Sequence, residues 1–168
     1  MFSRNKYFFK LIAVLLFLFT MNLSVSGHAF ANIIKQVETP DQILYQARNR
    51  LVDNQGNSWQ VILFKRLEQG KTTALNLRLV GFPDVINFEH PQDLLVLTLN
   101  KEDIKAKDKF AENAPSENVG EYDFKGILSN LQDETSIILS LPLQNQLLSL
   151  KIPYPVMLEW QEISKKTK

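Results

Sequence analysis

The sequence predicts a mainly β fold: an antiparallel meander that forms either a sandwich or a barrel, with one or two short helices. Apolar and polar residues alternate with period two in several segments after residue 40, as in strands with one face on a core. Short turn-forming stretches separate these segments, which favours antiparallel pairing of neighbouring strands. The length of 168 residues suits one domain, and the absence of cysteine excludes disulfides and thiolate metal sites.

The alternation is clearest in three segments, where apolar residues occupy every second position. These positions are Leu75, Leu77 and Leu79 after Thr73; Ile137, Leu139 and Leu141 after Thr135; and Val156, Leu158 and Trp160. We therefore expect a strand in each segment, with these side chains on one face.

Turn-forming residues mark the connections between strands. Asp53–Asn57, Glu68–Lys71 and Gln144–Gln146 each lie between two apolar runs and are typical of hairpin loops. Pro153 and Pro155 cannot donate to a strand ladder, so we expect the chain to change direction there.

Three segments depart from the simple pattern. The charged stretch Asn100–Phe110 is either a short helix, with Asn100 as its N-cap, or a solvated loop. Glu121–Leu131 has apolar residues at helical spacing and predicts a helix. Asp41–Leu51 fits both a helix and a strand, and the adjacent hairpin turn favours a strand from about Leu44.

The N-terminal segment, residues 1–31, has the pattern of a secretory signal peptide. A positively charged start precedes the apolar run Leu11–Met21, and Ala29 and Ala31 supply the small residues that signal peptidase recognises. The alternative, an uncleaved membrane anchor, is disfavoured because this run would span only about 16 Å as a helix. Cleavage after Ala31 would leave residues 32–168 as a single β-rich domain with no stable membrane span.

The charge and the chemistry of residues 32–168 restrict the function. This part contains 16 basic and 18 acidic side chains, so it has no basic excess and we expect no nucleic-acid partner. Its one histidine, His90, precedes Pro91, which breaks the spacing of helical metal pairs, and no Gly-x-Ser-x-Gly motif is present. The sequence therefore predicts no catalytic residue, no cofactor and no metal site.

A contact surface of cationic and aromatic side chains is predicted instead. Its members are Lys65, Arg66, Arg78, Phe82 and His90. If Arg66 and Arg78 face the same way across their hairpin, they form a cationic patch beside Phe82. The alternative is that each arginine pairs with a carboxylate, Glu68 or Glu159, on a solvated sheet face.

Several short motifs resemble an uncharacterised cyanobacterial family of short exported proteins, which is known only as a domain of unknown function. The motifs are Gly56-Asn57-Ser58-Trp59-Gln60, Phe64-Lys65-Arg66, Leu79-Val80-Gly81-Phe82-Pro83, His90-Pro91, Asn118-Val119-Gly120-Glu121-Tyr122-Asp123 and Glu159-Trp160-Gln161. The resemblance covers about residues 38 to 163. It implies an organism with thylakoids, and either the periplasm or the thylakoid lumen as the destination, but no activity.

Three functions compete. The leading hypothesis is a non-catalytic exported accessory or binding protein whose partner is an unidentified protein, such as a membrane complex. The second is a carrier that holds a small apolar ligand inside a β-barrel. The third is a hydrolase that uses His90 with a serine, or the carboxylate pairs Glu102/Asp103 and Asp133/Glu134.

Overall fold

A computed structural model describes residues 33–99 and 102–167. The predicted signal peptide, its recognition residues Ala29 and Ala31, and the predicted N-cap Asn100 lie outside the described residues.

Two antiparallel sheets form the described part of the chain. The first has five strands in the order β1-β2-β3-β4-β7, and the second has four in the order β6-β5-β8-β9. The strands of the first sheet are β1 (Ile34–Thr39), β2 (Gln42–Val52), β3 (Ser58–Glu68), β4 (Lys71–Val80) and β7 (Val119–Asp123). Those of the second are β5 (Leu94–Leu97), β6 (Ile104–Ala106), β8 (Ile137–Pro142) and β9 (Leu147–Ile152).

Two helices complete the fold: a single turn, α1 (Ile127–Asn130), and a longer C-terminal helix, α2 (Tyr154–Lys165). Helix α2 packs against β2 and β3. In the described residues no helix has the length and apolarity to cross a bilayer.

The two sheets and α2 share one hydrophobic core. Trp59 and Leu77 from the first sheet, Leu139 and Leu150 from the second, and Trp160 from α2 are all fully buried. Large aromatic rings and leucines therefore fill the space between the layers, and their burial is the main stabilising term.

The predicted fold class is confirmed, because every strand pair is antiparallel. The described strands form two separate sheets rather than one closed barrel. The predicted turns at Asp53–Asn57, Glu68–Lys71 and Gln144–Gln146 separate β2 from β3, β3 from β4, and β8 from β9. The expectation of a strand through Leu44 is also confirmed, because β2 begins at Gln42.

The predicted strand at Val156, Leu158 and Trp160 is wrong, because this segment belongs to α2. Pro153 is the N-cap and Pro155 lies in the first turn, where a missing N–H costs no helical hydrogen bond. Val156, Trp160 and Ile163 are buried at helical spacing, whereas Leu158 is exposed. So short an apolar segment fits both the two-residue repeat of a strand and the 3.6-residue repeat of a helix. Packing against the sheet favours the helix.

Three other segments differ from the sequence prediction. The charged stretch that was expected to be a helix or a loop contains β6, which pairs with β5. In the predicted helix Glu121–Leu131, the first three residues belong to β7 and only Ile127–Asn130 are helical. The polar segment before Pro40, in which no strand was predicted, contains β1 as an edge strand that is exposed along its whole length. Edge strands need no apolar pattern, since pairing with a neighbour is enough to define them.

Candidate functional site

The outer face of the five-stranded sheet, opposite the core, carries three arginines around a groove of about 330 Å³. Arg48 lies on β2, Arg66 on β3 and Arg78 on β4. The register pairs Arg48 with Ile62, and Ile62 with Arg78, so these side chains lie side by side. Since side chains alternate along each strand, Arg66 projects from the same face. This surface is called the outer-face groove below.

The floor of the outer-face groove is apolar. Phe64 lies at its centre and is only 7% exposed, although it points away from the core. Leu44 and Ile62 also line it. The groove therefore combines an apolar floor with charged walls.

Arg78 is held between two aromatic rings and a buried carboxylate. Its guanidinium carbon lies 5.4 Å from the ring centroid of Phe64 and 5.8 Å from that of Phe110. Its Nε and Nη2 donate to Oε2 of Glu121 at 2.9 and 2.6 Å. Glu121 is 7% exposed, and its other oxygen accepts a hydrogen bond from Nδ2 of Asn76 at 2.7 Å. A buried carboxylate with this set of donors fixes Arg78 in one orientation.

Arg66 forms a more exposed pair with Glu38 on β1. Its Nε donates to Oε2 at 2.9 Å and its Nη2 to Oε1 at 3.3 Å. The hydrogen bond from Arg66 to Glu38 raises the pKa of the arginine, and burial opposes that rise. Arg66 therefore stays charged, and its charge is neutralised locally.

Arg48 differs from the other two arginines in its partner. Its Nε donates to Oε1 of Gln46, a neutral amide, at 2.9 Å. Within the described part of the chain, no carboxylate lies within ion-pair distance of this guanidinium. The groove thus has one more positive than negative charge, and the exposed Arg48 supplies the excess.

The predicted contact surface is divided among separate places. Arg66 and Arg78 do face the same way, as expected for a cationic patch. Both pair with carboxylates, but these are Glu38 and Glu121 rather than the predicted Glu68 and Glu159. Glu68 accepts a hydrogen bond from Gln42, and Glu159 accepts one from Asn49.

Lys65 lies on the opposite, core-facing side of β3, since it neighbours Arg66 on a pleated strand. Its Nζ donates to the carbonyl oxygens of Ser164 and Lys166, both at 2.7 Å, at the end of α2. Burial lowers the pKa of this amine. Lys65 therefore acts as a cap for the last carbonyl groups of the helix, and the prediction that it joins the contact surface is wrong.

Phe82 lies in the loop after β4 and does not line the outer-face groove with Arg66 and Arg78. It is 65% exposed and lines a second groove together with Arg50, Gln60 and Pro83. The prediction that the cationic patch of Arg66 and Arg78 lies beside Phe82 is wrong, because the patch lines a different groove.

His90 lies in the interior beside Asp108, a carboxylate that the sequence analysis did not single out. The imidazole Nδ1 is 2.6 Å from Oδ2 of Asp108, whose side chain is only 3% exposed. The other ring nitrogen and the hydroxyl of Tyr122 are both buried, and neither has a hydrogen-bond partner among the described residues. Burial, followed by the charges of Asp108 and Asp93, raises the pKa of the Tyr122 hydroxyl. His90 is thus fixed inside the fold, away from the outer-face groove.

The sequence analysis missed Arg48, Phe110 and Glu121 as members of the site. Arg48 lies an even number of positions after Leu44 and Gln46, so its side chain faces the same side of β2 as theirs. The sequence could therefore have assigned Arg48 to that face. No local signal identifies Glu121 or Phe110. The pairing of β7 with β4 brings Glu121 to Arg78, and the hydrogen bond from the Lys109 N–H to the Glu121 carbonyl brings the neighbouring Phe110 there.

The fold and the site define a two-sheet β protein with an arginine-lined groove on one outer face. A family model described as "Protein of unknown function (DUF3122)" matches residues 31–163, and the chain belongs to this family. No curated protein and no solved structure matches the chain.

Proposed function

We propose that this chain is a non-catalytic exported accessory protein, and that its outer-face groove binds an acidic segment of a partner in a membrane complex. The observation that carries the proposal is Arg48, an exposed guanidinium whose only partner in the described residues is a neutral amide.

The chemistry of the groove favours a carboxylate-bearing ligand. A guanidinium presents a planar fork that matches a carboxylate with two hydrogen bonds. The apolar floor at Phe64 and Ile62 would contact the aliphatic part of an aspartate or glutamate side chain. In protein–protein interfaces, arginine and aromatic residues are also enriched among those that contribute most of the binding energy.

The alternative functions receive less support from the described residues. A carrier needs an internal cavity, whereas Trp59, Phe88 and Trp160 are almost completely buried within the core. A hydrolase that uses His90 needs an imidazole nitrogen in contact with substrate. Asp108 occupies Nδ1, and Nε2, the nitrogen left for such a contact, is buried.

Export is the second part of the proposal. It is supported by the signal-peptide pattern of residues 1–31 and by the resemblance to an exported cyanobacterial family. We propose the periplasm or the thylakoid lumen as the location and a cyanobacterium as the source.

The groove is tested with a photo-crosslinking amino acid at Ile62 of the full chain, expressed in its native host. Ile138, which is exposed on the other sheet, is the matched control position. We expect adducts from position 62 and not from 138, with an aspartate or glutamate in the crosslinked segment identified by mass spectrometry. Arg48→Gln should reduce the adduct yield several-fold, and Arg48→Lys should reduce it less.

Two results would contradict the binding proposal. One is a crosslinked segment without any acidic residue, and the other is an adduct yield that Arg48→Glu leaves unchanged. Export is tested separately, by cell fractionation and the mass of the purified chain. A cytosolic chain that retains residues 1–31 would refute export.

A further inference from the structure

Three loops lie together at one end of the two sheets. They are the β2–β3 turn (residues 53–57), the first part of the β4–β5 loop (residues 82–87) and the β8–β9 turn (residues 143–147). Hydrogen bonds hold them near one another. The backbone N–H of Asn54 donates to the carbonyl of Ser149, on β9 just after the β8–β9 turn, at 3.3 Å, and Nε2 of Gln146 donates to the carbonyl of Val85 at 3.2 Å. The loops therefore form one connected surface.

Large apolar side chains project from each loop or from its edge. Leu147 is 91% exposed, Phe82 65%, Val52 59% and Val85 54%. These four residues are called the apolar tip below. Exposed apolar side chains are common singly, but a group of them on adjacent loops marks an interaction surface.

The local backbone explains why Phe82 and Val85 point outward. Phe82 accepts backbone hydrogen bonds from Val85 and Ile86, which closes a tight turn. Ile86 is fully buried, and its side chain fills the space beside Gly81, where a Cβ would lie 2.6 Å from the Ile86 Cγ1. Asp84 has a φ of 63°, in the left-handed region. The turn is thus held by one buried side chain while its other apolar residues face solvent.

The polar residues of the three loops are nearly all uncharged, and Arg50 on β2 lines the same groove as Phe82. The three loops contain seven side-chain amides: Asn54, Gln55, Asn57, Asn87, Gln144, Asn145 and Gln146. Their ionisable residues are Asp53 and Asp84. Asp53 is buried and accepts hydrogen bonds from Gln55, Asn57 and Trp59, so its charge is used inside the turn.

We infer that the apolar tip inserts into the surface of a lipid bilayer with uncharged head groups. Projecting single side chains suit insertion between lipids better than a flat protein contact, which needs a larger closely packed area. The surrounding amides can hydrogen-bond to head-group oxygens. The exposed charges here, Asp84 and Arg50, are one of each sign, which matches a surface without net charge. The inference goes beyond the proposed function and does not depend on the outer-face groove.

A cysteine label tests the inference, because the chain contains no cysteine. Leu147→Cys carries an environment-sensitive nitrobenzoxadiazole dye at the apolar tip. Leu99→Cys is the matched control, since Leu99 is 73% exposed at the other end of the second sheet. With phosphatidylcholine vesicles we expect a blue shift and an intensity gain at position 147, and none at position 99.

Vesicle flotation supplies the second measurement. The protein used is the purified product of the full chain. We expect the double variant Phe82→Ser, Leu147→Ser to bind phosphatidylcholine vesicles about ten-fold or more weakly, since each change removes an apolar side chain from the interface. Leu99→Ser should leave partitioning unchanged, as should raising the salt concentration.

Four results would overturn the inference. Three are no spectral change at position 147, an equal change at position 99, and binding only to anionic vesicles at low salt. The fourth is a blue shift at position 147 that occurs without vesicles when the protein dimerises. Arg48→Gln separates the two proposals, because it should reduce crosslinking in the groove several-fold and leave vesicle binding unchanged.

Discussion

Replacing Arg78 by alanine would leave the Glu121 carboxylate buried beside a single neutral donor, Nδ2 of Asn76. The wild-type side chain donates to Glu121 at 2.9 and 2.6 Å and lies over the rings of Phe64 and Phe110. Arg78→Ala removes all of these contacts at once. The free energy of unfolding should therefore fall.

The size of the loss follows from the burial of the carboxylate. Hydrogen bonds to a charged group contribute about 1.5–3 kcal/mol, and removing one partner of a fully buried pair costs about 3–5 kcal/mol. The side chain of Arg78 is 42% exposed, so the value lies below that upper range. We expect a loss of about 2–3 kcal/mol for Arg78→Ala, and a smaller loss for Arg78→Lys, which retains the charge.

Arg66→Ala is the matched control, because Arg66 lies on the same sheet face and also donates two hydrogen bonds to one carboxylate. Its partner Glu38 has a side chain that is 26% exposed, against 9% for Glu121. Water can therefore solvate Glu38 after the substitution, and we expect a loss below about 1 kcal/mol.

Urea denaturation, followed by circular dichroism, measures both losses. Combining Arg78→Ala with Glu121→Gln should cost less than the sum of the single changes, because the stranded charge is removed. Equal losses for Arg66→Ala and Arg78→Ala, or strict additivity in the combined variant, would refute the argument from burial.

Two further predictions concern packing and pH. Gly120→Ala should destabilise the fold by about 1–3 kcal/mol, because the new Cβ would lie 2.8 Å from the Tyr122 hydroxyl and 2.9 Å from Phe88; an unchanged thermal midpoint would contradict this. Burial opposes ionisation of Asp53, but hydrogen bonds from Trp59 and the turn outweigh it and lower its pKa below 3.8. Since the native state then binds protons less readily than the unfolded state, this stabilisation is complete above pH 3.8 and is lost as the pH falls through the native pKa. The urea midpoint of Asp53→Asn should accordingly depend less on pH in that acidic range than the midpoint of the wild type.

Much of the fold could be predicted from local patterns. Leu75, Leu77 and Leu79 are buried on one face of β4, as their alternation predicted, and the turn at Asp53–Asn57 separates two paired strands. These features depend on nearest neighbours along the chain, so the sequence records them directly.

The candidate site was only partly predictable. The sequence left open whether Arg66 and Arg78 share a face. It also gave Lys65 the same role as Arg66, although neighbouring residues on a strand point to opposite faces. The partners Glu38 and Glu121 could not be assigned, because each becomes adjacent only when β1 or β7 joins the sheet.

Local sequence determined strands such as β3, β4 and β8, the hairpin turns beside them and which of their positions face the core, since side-chain period and turn chemistry act over a few residues. Tertiary structure decided that Val156–Ile163 is helical, because only the sheet beneath it distinguishes the two apolar periods. It also decided which arginine keeps an unneutralised charge, because burial and ion pairing depend on residues distant in the chain. In the outer-face groove this is Arg48, which the sequence did not single out, whereas Arg66 and Arg78, which it did, are both paired with carboxylates.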